Sequence, residues 1–459
     1  MIKYILSALT VLSISSCSLD VKNEQEISGD DIINTTQKAT SVLAQAYKEL
    51  PVNGSTFTLL SEDLQPTYLI EYNSNAKQHY TWNEIALKTL ANSQWDSYYS
   101  AMVHLNALLN TEAHIRDKGT DWDYIKGNAL VLKAYIYFDL LQLYSTRYNP
   151  EAPGVLRKDE LKIESNKRLT QSESIQYIER MLQEGISLMD SYAAQKIYFI
   201  TTQAAKQLEI KIALYQGQYD KAEALATALL SESAPLPNTA ETYASLWKYK
   251  DNSPTRQVYW AYDFRENPNH YLTTTTDGDI MQIHFLNKFE ESDMRYTISQ
   301  FFYDMKAQGI ASSTRALLGK YKSNYNDKEE QRIILSRNTE TYFLLLESLI
   351  EQNKIAQAIS LYNDFKTSVH SETITDSPSQ QVLRLLFRAE KQKEFIGEKT
   401  NYFDLKRWNT NIARYESDSN KKSNTIEATD FRWTWPIPTA EIRLNNNLVQ
   451  NDGWQSIEL

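Results

Sequence analysis

A helical period runs through most of this 459-residue chain and restricts it more than any other feature. Across residues 94–109 the bulky side chains Trp95, Tyr98, Tyr99, Met102, Leu105 and Leu109 recur at three- and four-residue intervals, the spacing that gathers them on one side of an α-helix. Residues 129–144 are apolar around most of a helical circumference, which predicts a central helix covered on all sides. Thr170 and Glu173 have the spacing of a capping box, in which hydroxyl and carboxylate each satisfy a free amide, and this predicts a helix from there to about Asp190. Twelve glycines and eleven prolines are too few for an all-β protein with a turn every few residues. The expected class is therefore mainly all-α.

Residues 201–230 read as a helical hairpin, with Gln216-Gly217-Gln218 as the turn and the small Ala222 allowing the return helix to approach closely. The pattern resembles a tetratricopeptide repeat, and residues 340–366 repeat its grammar around Asn353. Irregular stretches rich in turn formers cover 51–82, 233–335 and 410–459, with residues 258–262 as one short strand. The expected architecture is a tetratricopeptide-like helical-hairpin superhelix with long irregular loop insertions and few short strands. Long loops on a helical frame are where binding usually sits.

The only cysteine, Cys17, cannot form an internal disulfide. It follows Lys3, an apolar stretch over residues 5–14, and the small pair Ser15 and Ser16, the layout of a cleaved leader. Residues 14–17 resemble the lipobox of bacterial lipoproteins, in which the cysteine becomes the first residue and carries the lipid. The run is too short to span a ~30 Å hydrocarbon core. The expected division is a lipoprotein signal peptide at 1–16, a lipidated tether at 17–34 and a single domain at 35–459. A net charge of -10 argues against nucleic acid as a partner; the expected membrane contact is the N-terminal lipid.

Catalytic chemistry finds little footing. The six histidines show no metal-binding spacing, and there is no nucleophile elbow, P-loop or dinucleotide fingerprint. No metal or cofactor is expected. Glu390 and Glu394 stand one helical turn apart among Arg388, Lys391 and Lys393, and read as charge pairs on a solvated or inter-helix face. A glycosidase pair faces across the bond from different elements, ~5–9.5 Å apart. The expectation is a protein that is not an enzyme.

Three segments carry a family resemblance. Arg337, Glu340 and Glu347 frame an apolar run; residues 388–408 form a charged helix ending in Tyr402-Phe403-Asp404-Leu405-Lys406-Arg407-Trp408; and residues 435–454 hold Pro436-Ile437-Pro438, Glu441-Ile442, Asn445 and Gln450-Asn451-Asp452-Gly453. In this order they resemble the SusD/RagB family of outer-membrane nutrient-uptake lipoproteins. Lys399 and Asn401 depart from the family's usual Gly and Arg, which puts a local turn and one ion pair in doubt. The resemblance implies a surface-exposed lipoprotein that binds glycan without catalysis and delivers it to a SusC-like TonB-dependent transporter. Alternatives are a RagB-like receptor for peptide, or a helical-repeat assembly protein with no small ligand.

Sugar rings stack on aromatic faces, so aromatic residues outside the helices are the candidate contacts. Tyr98, Tyr99, Tyr135, Tyr137 and Tyr144 fall at helical spacing and read as core. The candidates form two groups: Tyr68, Tyr72, Asn73, His79, Tyr80 and Trp82 after the first helix, and Trp260, Tyr262, His270 and Tyr271, near Asp277 and Asp279, in the long insertion.

Overall fold

The computed structural model describes residues 33–51, 54–62, 64–72, 74–162, 164–247, 257–263, 281–283, 289–297, 302–304, 316–318, 320 and 332–455. Cys17, the leader and most of the tether lie outside them.

Helices α1 (Thr36–Glu49), α2 (Gly54–Leu60), α3 (Ser74–Tyr80), α4 (Glu84–Leu109) and α5 (Thr120–Tyr144) open the chain. Thr35 caps α1 by accepting from the Lys38 amide, and the Asn83 side chain accepts from the amides of Ile85 and Ala86 at the start of α4. α5 is the expected central helix, packed by α1, α4, α6 (Gln171–Met189) and α7 (Thr202–Tyr215). The α5–α6 contact depends on two glycines: a Cβ on Gly127 would sit 2.7 Å from the Gly185 carbonyl oxygen. The capping box forms as expected at α6, with the Glu173 amide donating to Thr170 Oγ1 at 3.1 Å and the Thr170 amide donating to Glu173 Oε2 at 2.8 Å.

Both hairpins are present. α7 turns into α8 (Tyr219–Ser231) through Gly217 at φ +73°; beyond α9 (Ala240–Ser245) and α10 (Met294–Thr297), α11 (Asn338–Glu351) turns into α12 (Ile355–Ser368) through Asn353 at φ +58°. The two turns share one hydrogen-bond pattern, with Gln218 donating to the Ala213 carbonyl and Lys354 to that of Leu349. Glycine and asparagine are the residues that enter this left-handed region most cheaply. Although separated in sequence, the hairpins are neighbours in space, because α8 packs along α11. The superhelix closes across the insertion, and α13 (Gln380–Glu394), α14 (Thr400–Arg407) and α15 (Thr439–Leu444) follow.

Strands are short and pair antiparallel in twos among the described residues: β1 (Leu64–Pro66) with β5 (Met281–Ile283), β2 (Pro153–Leu156) with β3 (Arg168–Thr170), β4 (Val258–Asp263) with β8 (Arg332–Arg337), β6 (Phe302–Asp304) with β7 (Ala316–Leu318), and β9 (Ile412–Tyr415) with β10 (Lys422–Ile426). The β4–β8 ladder feeds the insertion straight into α11, and β4 covers the strand expected at 258–262.

Candidate functional site

The first aromatic group divides. Tyr68 and Tyr72 lie on a 3-10 turn, Tyr68–Tyr72, and are 54% and 84% exposed. The turn is pinned by Asp418, whose carboxylate accepts from the Tyr68 amide at 2.9 Å and whose own amide donates to the Pro66 carbonyl. Asn73 lies outside the described residues. His79 is half-buried, and burial pushes its imidazole pKa down. Tyr80 and Trp82 are packing residues. The Tyr80 hydroxyl accepts from the Tyr415 amide at 2.8 Å under the Arg414 guanidinium; Trp82 donates through Nε1 to the Leu60 carbonyl and packs edge-on against Trp433, 4.7 Å between centroids. These two rings staple the early loop to the C-terminal region and offer no face to a ligand in this arrangement.

Trp260 and Tyr262 are buried on β4. With Tyr135, Tyr215 and Phe403 they border a cavity of about 130 Å³ between α5, α7, α14 and β8. That is below the ~300–1,000 Å³ of ordinary ligand pockets. His270, Tyr271, Asp277 and Asp279 lie outside the described residues.

The same cavity holds Lys399. Its ammonium lies 5.0–6.0 Å from the ring centroids of Phe57, Tyr98, Tyr135 and Phe403, donates to the Tyr98 hydroxyl oxygen at 3.1 Å and pairs with Asp139. Burial, reinforced by Asp139, pushes the Tyr98 hydroxyl pKa well up, so it stays a neutral donor. Lys399 therefore has an ion pair of its own, and the local turn is made by Gly397 at φ +77°. Lys211 and Glu340 pair at 2.7 Å on another wall.

The solvated alternative for Glu390 and Glu394 is overturned; the inter-helix one holds. Both are buried, at 2% and 0% exposure, because the insertion folds cations onto them. Arg295 reaches Glu390, Glu394 at 3.1 Å and Asp293 at 2.7 Å; Arg337 meets Glu394 at 2.7 Å and Glu398 at 2.9 Å; Lys320 meets Glu398 at 2.8 Å. Burial pushes the Glu390 carboxyl up, but Arg295, Lys393 and Lys366 outweigh it and hold the group at about 2. A carboxylate so firmly ionised and enclosed has neither a proton to donate nor room for substrate. Its work is to lock α13 to the insertion.

Two open grooves of about 660 Å³ each flank Arg147 and Lys406. One runs between the α7–α8 turn, α11, α13 and α14; the other faces Phe431 and Asn447. Neither was picked out by loop aromatics. The available signal was the pair Arg384 and Arg388, one helical turn apart beside Leu385. Among the described residues, no group of three or more His, Cys, Asp or Glu is placed to hold a metal ion, and no helix is long and apolar enough to cross a membrane.

Residues 216–454 match the model of the SusD family, and residues 18–214 match a SusD-like family described as starch-binding, associating with outer membrane. The chain belongs to the SusD family. Solved structures share its fold over nearly their whole length. A SusD superfamily protein from Bacteroides vulgatus has a TM-score of 0.75 at 18% identity, covering 92% of this chain and 99% of its own. A SusD superfamily protein from Bacteroides thetaiotaomicron has 0.74 at 19%, covering 91% and 99%, and a SusD-like carbohydrate binding protein from Bacteroides vulgatus has 0.70 at 19%, covering 90% and 97%. Among curated proteins, none matches by sequence.

In this SusD-family chain three motif residues, Lys406, Trp435 and Asn451, converge on the C-terminal end of α5. Its last carbonyls would otherwise be unsatisfied. Lys406 Nζ donates to Ser145 at 2.8 Å and Gln142 at 2.5 Å, Asn451 Nδ2 to Tyr144 at 2.9 Å, and the Trp435 amide to Leu143 at 2.9 Å. Arg168 adds a bond to Tyr144 at 2.7 Å. The Arg168 cation suits this negative helix end, while burial and the neighbouring Arg147 push the Lys406 amine pKa well down. Segments more than 250 residues downstream thus close the central helix.

Proposed function

We propose that this protein is a cell-surface lipoprotein, anchored through lipidated Cys17, that binds an oligosaccharide and delivers it to a SusC-like TonB-dependent transporter in the outer membrane without chemical conversion. Residues 17–34 act as the tether and 35–459 as a single capture domain. Family membership supports the uptake role, and a structural neighbour described as carbohydrate binding supports the ligand class. The observation that carries the reading is the pair Tyr68 and Tyr72, large rings held 54% and 84% exposed on a pinned turn, where most of the other large aromatics among the described residues are buried or half-buried. A ring with an apolar face and a polar tip, held in water, suits the C–H face and hydroxyls of a sugar.

Calorimetric titration of the purified chain against neutral oligosaccharides and mixed peptides tests this. Saturable oligosaccharide binding without turnover is expected. Binding of peptide alone would select the peptide-receptor alternative, and no binding of either the assembly role. Mass spectrometry of the membrane-extracted protein should find a lipid on Cys17 that is lost in Cys17→Ala.

A further inference from the structure

The groove between the α7–α8 turn, α13 and α14 is anomalous for an acidic chain. Among the described residues it is bordered by five basic and two acidic side chains, in a protein of net charge -10. Both acids are already closed by an arginine each. Glu347 takes two hydrogen bonds from Arg407, at 2.7 and 2.8 Å, and Glu351 takes two from Arg384, at 2.6 and 2.8 Å.

Cations remain over. The Arg388 guanidinium lies 4.9 Å from the Trp408 ring centroid; its Nε is buried without a hydrogen-bond partner, and it makes no ion pair among the described residues. Among the described residues Arg147 donates to main-chain carbonyls, those of Lys406 at 2.5 Å and Ala428 at 2.6 Å, and makes no ion pair with a carboxylate. Arginine cannot shed its proton in a protein, so both charges are permanent. The remaining wall is half-buried Tyr148, Tyr215, Tyr219 and Phe403 with the amides of Gln142 and Gln381.

We propose that this groove is a second ligand site, distinct from the Tyr68–Tyr72 surface, and that it takes a short acidic oligosaccharide whose carboxylate or sulfate is held by Arg388 and Arg147. The volume, about 660 Å³, falls in the range of small-ligand pockets. The aromatic rings offer faces to the sugar and the amides serve its hydroxyls. An acidic peptide fits less well, because the walls are largely helices whose backbone groups are spent internally, leaving little strand edge for an extended chain to pair with.

Titration of the purified chain with tri-galacturonate, its neutral trimethyl ester, a sulfated galactose trisaccharide and triglutamate tests the proposal. One or both acidic sugars should bind, with the stronger of the two naming the anion, and the ester should bind at least about tenfold more weakly. Raising salt from about 0.05 to 0.5 M should weaken the acidic sugar and not the ester. Arg388→Gln should weaken it about tenfold and Arg388→Lys less. Equal binding of acid and ester, an unchanged affinity in Arg388→Gln, or triglutamate binding as tightly as the sugars would each overturn it. The ester and salt comparisons use the unsubstituted chain and so do not depend on how the variant folds. Substitutions at Tyr68 and Tyr72 act on neutral glycan, so failure there and failure here are separate results.

Discussion

Arg407, at the end of α14, meets Glu347 of α11 through two parallel hydrogen bonds of 2.7 and 2.8 Å, and Trp408 donates its indole N–H to the same carboxylate at 2.8 Å. Burial pushes the Glu347 carboxyl up, but Arg407 outweighs it and holds the group at about 2. Glu347 and Arg407 are thus the tie between the second hairpin and the charged helix. Breaking a buried pair from one side leaves the other charge uncompensated. Glu347→Ala is expected to destabilise the protein by about 3–5 kcal/mol in urea unfolding. A loss under about 1 kcal/mol would show that Asp404, 2.8 Å from Arg407, suffices alone.

The buried network at α13 sets an acid limit. Glu390 sits at about 2 when folded, against about 4.3 for an unfolded glutamate. The unfolded chain therefore binds the proton first as pH falls, and stability from this group is complete above the unfolded value and lost on the way down to the folded one. Glu398 is shifted the same way: burial raises it, and Arg337 and Lys320 more than reverse that. The thermal midpoint should be level from about pH 7 to 5 and fall between about 5 and 2. Glu390→Gln should lower the midpoint at pH 7 and flatten the fall. A midpoint that rises on acidification would contradict the assignment.

The α5–α6 crossing makes a sharper claim about packing. A methyl on Gly127 meets the Gly185 oxygen at 2.7 Å, Met189 Cγ at 2.8 Å and Leu188 Cβ at 2.9 Å, so two helices must separate to admit it. Gly217 has open space around the same position and only its φ of +73° to resist substitution. Gly127→Ala should cost about 3 kcal/mol or more, as overpacking of a tight core does, and Gly217→Ala about 1–2 kcal/mol. Chemical unfolding of both variants checks the order; equal losses would mean that the crossing relaxes freely.

What could be read in advance follows the range of the forces involved. α5 was legible because an apolar circumference is a local fact, and the Thr170–Glu173 cap because its partners are three residues apart. The burial of Glu390 and Glu394 was not, since Arg295 and Arg337 come from 95 and 57 residues upstream. Lys399 stood out as a departure, but its partner Asp139 is 260 residues away. Tyr80 and Trp82 have the same chemistry as Tyr68 and Tyr72. Arg414, Tyr415 and Trp433, folding back from the C-terminal region, are among the residues that cover the first pair and leave the second open.

That difference yields the most direct test of ligand capture. Tyr72 is largely in water and Tyr68 is 54% exposed, so removing these rings costs less packing than removing a buried aromatic. The turn itself is held through the Tyr68 backbone by Asp418, which a side-chain truncation leaves in place. Tyr68→Ala with Tyr72→Ala should therefore leave the thermal midpoint within about 2 °C, since surface changes stay near ±0.5 kcal/mol. The same double variant should weaken neutral oligosaccharide binding by tenfold or more, about 1.4 kcal/mol. Trp82→Ala should do the reverse, losing about 3–5 kcal/mol of stability as a buried aromatic does. If the double variant bound glycan as well as the unsubstituted chain, the exposed turn would not be the capture surface, and the tyrosines would owe their exposure to something other than sugar.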